Sequence, residues 1–280
     1  MATGYSVFIA MAYDFSRQVP YDILSSKALE YNVFKGKYLE ETDMAKPIPS
    51  YIIKAELKDF RSPATWRRFK IKKNLPITEL AYYLEIMFEM YAEHQYDFTY
   101  QSDDGLVVMV NNPEEYSMAP SFPGGPKTKY VGLDDFRLNY FNVGDEFLFR
   151  YDFGAGWEIK LKIEKLDDQN ELSTKNLPRI IAGKGFGIVE NIGGVDALKE
   201  FGRDLKRSDD QLNDFGTMLP EPLFDVADVF TLNYYNQDEL NWRLKRLIRY
   251  YRQAYDGIEI SNHAIDLIER YYPEFKLFRF

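Results

Sequence analysis

The sequence predicts an α+β fold. The expected core is a twisted antiparallel sheet, with barrel-like closure left open, packed with a helix and extended by helical N- and C-terminal additions. Three observations predict it. Apolar and polar residues alternate strictly in several runs between residues 51 and 166. One strongly periodic helical segment interrupts those runs, and the chain from Asn236 onward reads as helix.

Residues 1–46 read as an N-terminal helical appendage. Pro20 suits the first turn of a helix reaching about Glu40, and Ile23, Leu24, Ala28, Tyr31 and Phe34 supply its apolar stripe. Lys46-Pro47-Ile48-Pro49-Ser50 reads as an extended linker, because each proline removes a donor and restricts the residue before it. The core is expected over residues 50–225. Tyr51, Ile53, Ala55 and Leu57 alternate with Ile52, Lys54, Glu56 and Lys58, the pattern of a half-buried strand. After a turn at Arg61-Ser62-Pro63, Trp66 to Lys72 reads as its antiparallel partner, with Phe69 and Ile71 on one face.

Thr78 is the expected N-cap of the next helix, with Ile77 and Tyr82 spaced as a hydrophobic staple. Leu80, Leu84, Met87, Phe88 and Tyr91 follow at helical spacing. Asp104-Gly105 predicts a hairpin between Phe98–Tyr100 and Leu106–Val110, since the tight turn needs positive φ. Residues 111–130, rich in Pro, Gly and Asn, read as a long loop. Asp145 to Phe153 and Trp157 to Leu166 are strands around a Gly154-Ala155-Gly156 turn. Gly183 to Gly194 reads as a glycine-rich loop, and Asp196 to Arg207 as a short helix. Residues 226–280 are expected to be C-terminal helices packed on the core. Asn236 and Glu239 form a capping pattern before Leu240, Leu244, Leu247 and Tyr251, Gly257 ends that helix, and a last helix runs from Ser261 or Asn262 to Pro273.

Composition narrows the function classes. The net charge of −9 disfavours tight non-specific nucleic-acid binding, although a local basic patch remains compatible with it. Cysteine is absent, so neither a thiol nucleophile nor a disulfide framework is available. Two histidines, His94 and His263, cannot build a His-rich metal site; an all-carboxylate site for a hard cation stays open but has no motif, and no cofactor motif is evident. The 22 Tyr and 21 Phe suit a thick core, or a surface that binds something flat. The start lacks a basic n-region and no stretch reaches membrane-spanning length, so no membrane association and a cytoplasmic location are expected.

Several segments carry a resemblance in their order and spacing. They are Trp66-Arg67-Arg68; Tyr91-Ala92-Glu93-His94-Gln95-Tyr96-Asp97-Phe98; Tyr151-Asp152-Phe153-Gly154-Ala155-Gly156-Trp157; Pro178 with Gly183-Lys184-Gly185; Glu190-Asn191-Ile192-Gly193-Gly194; and Glu239-Leu240-Asn241. Together, over roughly residues 50–250, they resemble the plasmid pRi ORF-3-like family, which includes proteins described as insertion-element passenger TnpR-like. The resemblance implies a mobile-element context and no particular reaction. Three departures stand out. Ala155 occupies a position where the family pattern has Asp, Asn191 does the same in a Glu-Asp pair, and Tyr91 stands where Trp is common.

The candidate site residues each have a structural alternative. His94 can act as acid or base with Asp97, Asp152 or Glu190, or can fix a helix end. Asp152 can be catalytic, or can bond its own turn. Gly183, Lys184 and Gly185 can offer amides to an anion, or can serve close packing. Arg67, Arg68 and Lys70, with Arg243, Arg246 and Arg249, can form a nucleic-acid face beside aromatics, or can be solvated and self-paired. The leading expectation is a mobile-element-associated, non-catalytic binding or adaptor protein for protein or nucleic acid. The alternative is an enzyme, a hydrolase in particular, with His94, Asp152 and Glu190 in one cleft. A third is a regulator that docks through residues 1–46. Convergence of the three side chains discriminates the enzyme.

Overall fold

Alternating burial along the strands builds the sheet. The computed structural model describes residues 48–117, 127–168, 176–204, 231–257 and 259–271, all within the unit Pro47–Phe280. The expected N-terminal helix lies outside the described residues. Among the described residues there are eight strands: β1 (Ser50–Arg61), β2 (Ala64–Lys72), β3 (Tyr96–Ser102), β4 (Gly105–Val110), β5 (Thr128–Gly132), β6 (Glu146–Tyr151), β7 (Trp157–Asp167) and β8 (Arg179–Lys184). They form one sheet in the order β5-β4-β3-β6-β7-β1-β2-β8. The ends, β5 and β8, do not pair, so the sheet is open and the barrel-like variant does not occur. Every pairing is antiparallel except β4 with β5, which is parallel.

The register stacks apolar residues in columns. Ile53 faces Phe69 on one side and Ile163 on the other. Phe149 lies between Phe98 and Ile159. All of these are fully buried, and each such side chain contributes roughly 1.5–3 kcal/mol of transfer free energy. The opposite face is charged and largely self-paired, with Arg68 on Glu164 at 2.6 Å and Lys160 on Glu146 at 2.6 Å.

Among the described residues six α-helices accompany the sheet: α1 (Ile77–Met87), α2 (Pro113–Ser117), α3 (Val195–Asp204), α4 (Gln237–Arg246), α5 (Ile248–Tyr255) and α6 (Asn262–Tyr271). Helix α1 starts one residue before the expected cap. Pro76 precedes it, and no side chain caps it. The Phe136 carbonyl accepts from the Ile77 amide at 3.0 Å, so a tertiary contact rather than a local side chain satisfies the first orphan donor of the helix. Ile77 and Tyr82 are both buried, as their staple spacing predicts. The helix stops before Tyr91, because Glu89 turns to φ 62°.

The expected 111–130 loop contains α2 and β5 within its described part, and Gly183 and Lys184 belong to β8 rather than to a loop. Asn236 caps α4 as its sequence predicts, accepting from the Glu239 amide at 3.1 Å. The expected single helix after it breaks at Leu247 into α4 and α5. Buried residues of α1, α4, α5 and α6 (Leu84, Leu244, Tyr251, Ile268) share one apolar cluster with the inner sheet face. Aromatics pack that cluster: Phe141 stacks on Phe147 at 4.2 Å and Tyr82 on Tyr255 at 5.5 Å. Among the described residues no helix is long and apolar enough to cross a membrane.

Candidate functional site

Three separate turns deliver His94, Asp152 and Glu190 to one place. The first follows α1, where Glu89 and Ala92 adopt positive φ and swing the chain toward β3. Tyr255 of α5 then fixes the segment, its hydroxyl donating to the His94 carbonyl at 2.8 Å. The second turn ends β6. Asp152 takes φ 50°, a left-handed conformation that Asp tolerates better than most residues. Its Oδ1 accepts from the amides of Gly154 and Ala155 at 3.1 and 3.2 Å. That Asx turn occupies one carboxylate oxygen and leaves Oδ2 to face His94. The third turn follows β8. The Ile188 amide donates to the Phe88 carbonyl at 2.9 Å, which draws the segment against the end of α1. Gly194 completes it: a Cβ there would meet the Ala155 carbonyl oxygen at 2.4 Å.

The result is a cluster around one imidazole nitrogen. His94 Nε2 lies 3.6 Å from Asp152 Oδ2, 3.7 Å from Glu190 Oε1 and 3.4 Å from Asn191 Oδ1. All three separations exceed an ordinary N–H···O bond. The side chains grade from partly open to closed, at 31% exposed for His94, 15% for Asp152 and 2% for Glu190. Tyr151 sets the rear wall, edge-on to His94 with ring centroids 5.6 Å apart. Its hydroxyl donates to Glu190 Oε1 at 2.6 Å and accepts from the Glu93 amide at 3.3 Å. The second oxygen of Glu190 is buried without a hydrogen-bond partner. Glu93 joins at the rim, and ligand atoms of Glu93, His94 and Glu190 all lie within 4.8 Å of one another.

Burial pushes the Glu190 carboxyl up to about 8; the Tyr151 hydrogen bond opposes this, and the Glu93 and Asp152 charges add to it. Burial also raises Glu93. Deeper still sits Glu85, on α1. Its Oε2 lies 3.0 Å from the Tyr255 hydroxyl and its Oε1 has no hydrogen-bond partner. Full burial holds it well above the usual carboxylate range. Beside the cluster, a cleft of about 270 Å³ is lined by Asp97, Arg150, Asp152, Phe153, Trp157 and Glu158 among others, with Phe153 exposed at its mouth.

The other candidates have different surroundings. Asp97 pairs with Arg150 at 2.7 Å rather than with His94. Arg67 is fully buried. It donates to the carbonyls of Met87 at 3.0 Å, Trp66 at 3.0 Å, Lys184 at 2.8 Å and Phe186. Desolvation lowers its guanidinium to about 10. Arg68 holds Glu164 and Lys70 holds Asp167. Arg243 pairs with Glu89 at 2.7 Å and with Glu239. Arg246 stacks over Trp242 at 3.9 Å and is exposed, as is Arg249. Gly183 and Gly185 lie against Tyr235 and Thr65, with no room for a Cβ. Close packing therefore accounts for both glycines, and the Lys184 carbonyl is an Arg67 acceptor.

Residue-type reasoning missed Glu93, Tyr151, Asn191 and Glu85 as parts of the cluster. Three of them stood in the segments that carried the family resemblance. Glu85 had its own signal: it falls between Leu84 and Ile86 in a helix whose apolar positions run nearly all round. The role of Arg67 was legible in the period of two that places it on the face of Phe69 and Ile71.

No curated protein matches the sequence. A crystal structure of a protein of unknown function from Methanosarcina mazei Go1 superposes with a TM-score of 0.54 at 23% identity, covering 69% of this chain and 96% of that one. At that identity the likeness speaks for the fold alone. The family described as plasmid pRiA4b ORF-3-like protein matches residues 49–231, which span the sheet, α1 and all three turns of the cluster. That match takes in well over half of the 280 residues, and the chain belongs to the plasmid pRiA4b ORF-3-like family.

Proposed function

We propose that the chain is a hydrolytic enzyme whose working groups are His94, Asp152 and Glu190. One observation carries this reading: three turns far apart in sequence set the imidazole Nε2 between two carboxylates at 3.6 and 3.7 Å. Backbone strain supports it. Ala92, Asp152 and Asn191 all hold positive φ at this one place, and such residues persist where surrounding structure over-determines them. In this reading His94 and Glu190 hold a water beside the cleft. The water oxygen bonds to the electrophilic atom of the substrate. Its proton passes to Asp152 Oδ2, and then to the departing group as the old bond breaks.

The test uses chromogenic phosphomonoester, phosphodiester and carboxylic ester substrates with the full chain. Turnover of one class is expected, falling about 10²–10⁴-fold in Asp152→Asn. That variant keeps the turn, because the Asn side-chain oxygen can accept the same two amides and tolerates positive φ. No turnover in any class, or turnover untouched by Asp152→Asn and His94→Ala, overturns the reading.

The competing reading is a mobile-element adaptor without catalysis. Its support is the family membership and the basic Arg246 and Arg249 on the C-terminal helices. Labelled DNA and RNA across a salt series test it, with affinity expected to fall steeply as salt rises and to drop in Arg246→Ala/Arg249→Ala.

A further inference from the structure

We infer that Glu93, His94 and Glu190 form a site for one divalent first-row metal ion, of the Zn²⁺ or Mn²⁺ kind, with Asp152 beside it as the group that takes a proton from metal-bound water. The inference rests on the reading of the His94, Asp152 and Glu190 cluster as the working site and names the cofactor it would use.

The spacing is the first argument. Ligands about 2.1 Å from a tetrahedral ion lie about 3.4 Å from each other. His94 Nε2 stands 3.7 Å from Glu190 Oε1. That is too long for a direct hydrogen bond and a few tenths of an ångström from the separation of two ligands on one ion. Glu93 offers a third donor within 4.8 Å of both.

Charge is the second. Glu93, Asp152 and Glu190 gather three carboxylates. Among the described residues no Lys or Arg forms an ion pair with any of them. Glu93 is exposed and Asp152 half-buried, but Glu190 is buried, and a buried carboxylate is ordinarily paired or coordinates a metal.

The third is an independent sign of a missing partner. The Glu190 side chain is 2% exposed, yet its Oε2 is buried with no hydrogen bond, while Oε1 is held by Tyr151 at 2.6 Å. A carboxylate fixed through one oxygen by a neighbouring hydroxyl is how metal-ligating carboxylates are commonly oriented.

The imidazole decides the class of ion. Mg²⁺ and Ca²⁺ prefer all-oxygen sites, whereas nitrogen beside carboxylates suits Zn²⁺, Mn²⁺ and their neighbours. Bound there, the ion would lower the pKa of its water, and Asp152 Oδ2, 3.6 Å from the imidazole, is placed to receive the proton.

The test is calorimetric titration of the EDTA-treated full chain with Zn²⁺, Mn²⁺ and Mg²⁺. One equivalent of Zn²⁺ or Mn²⁺ should bind, with Mg²⁺ at least about 100-fold weaker. Glu190→Gln and His94→Ala should each weaken Zn²⁺ binding by about 100-fold or more. Tyr151→Phe, which leaves the ligands in place, should weaken it about 10–100-fold. If a variant unfolds, pulsed electron paramagnetic resonance of Mn²⁺ on the wild-type chain replaces it, and a histidine-nitrogen coupling is expected. Equal binding by wild type and a folded His94→Ala, or Mn²⁺ without nitrogen coupling, overturns the site. The two readings fail separately. Hydrolysis that persists in EDTA with no ion bound removes the metal and keeps the hydrolase. A bound ion with no turnover removes the hydrolase and keeps the metal.

Discussion

The hydroxyl of Tyr151 donates to Glu190 Oε1 at 2.6 Å while its ring stands edge-on to His94. One residue at the end of β6 therefore orients both a buried carboxylate and the imidazole that faces it. Asp152 follows directly after the strand, so the end of β6 supplies wall, clamp and a facing carboxylate in two consecutive positions.

Removing that clamp has a defined cost. Tyr151→Phe keeps the ring and leaves Glu190 with neither oxygen hydrogen-bonded. The loss should be about 1–3 kcal/mol of unfolding free energy in urea at neutral pH. An unchanged midpoint would mean that the hydrogen bond does not hold the turn.

Glu85 predicts a pH dependence. Its folded-state pKa is raised by burial, so the folded protein binds a proton that the unfolded chain releases above the usual carboxylate range. The stability tied to that proton is complete below the unfolded pKa and falls as pH rises toward the folded one. In that window the wild type should lose about 1.4 kcal/mol per pH unit more than Glu85→Gln. The two proteins should converge near pH ~4, around the ordinary carboxylate value. Parallel stability curves from about pH 4 to 8 would show that Glu85 does not titrate differently on folding.

Asn191 offers a gain rather than a loss. Its Oδ1 lies 3.4 Å from His94 Nε2, so Asn191→Asp adds a further carboxylate to the cluster. The ion-free variant should melt at a lower temperature from charge repulsion, and Zn²⁺ should bind it about tenfold more tightly. Weaker Zn²⁺ binding by a folded Asn191→Asp would count against a cation at this place.

Two glycines with the same backbone angle separate strain from clash. Gly144 has φ 99° and open space within 4 Å of where a methyl would sit, whereas Gly194 has φ 98° and the Ala155 oxygen 2.4 Å from that point. Gly144→Ala should cost about 1 kcal/mol or a little more, from the backbone alone. Gly194→Ala should cost at least about 1 kcal/mol beyond that and weaken ligand binding in the cluster. Equal costs would mean that the 190–194 turn shifts freely.

Arg67 predicts the largest loss. Arg67→Met keeps much of the side-chain volume and strips the donor from four carbonyls, three of them where α1 and β8 end. Chemical denaturation should show about 3–5 kcal/mol of destabilisation. A cost below about 1 kcal/mol would show that water replaces the guanidinium.

Much of the sheet was legible because its strands alternate cleanly. Tyr51, Ile53, Ala55 and Leu57 fix the inner face of β1, and Phe147, Phe149 and Tyr151 that of β6. β5 was not legible. It is five residues long, follows a Pro- and Gly-rich run, lies at the sheet edge and shows no alternation in burial. The start of α1 was displaced because its cap comes from Phe136, far along the chain, and local sequence carries no trace of that bond. His94, Asp152 and Glu190 were visible as reactive types in separate segments, but their meeting depends on three turns with positive φ at non-glycine residues. Arg67 was read as surface charge because its residue type outweighed its position in the alternation.

The bond from Tyr255 to the His94 carbonyl joins residues 161 positions apart. On a ribosome this makes the cluster a late event. The strands and the two acids are made first, but the imidazole's segment lacks this anchor until α5 emerges. A nascent chain, or one truncated before Tyr255, would hold His94, Asp152 and Glu190 without this anchor, so their final alignment waits for α5 rather than for the folding of the sheet alone.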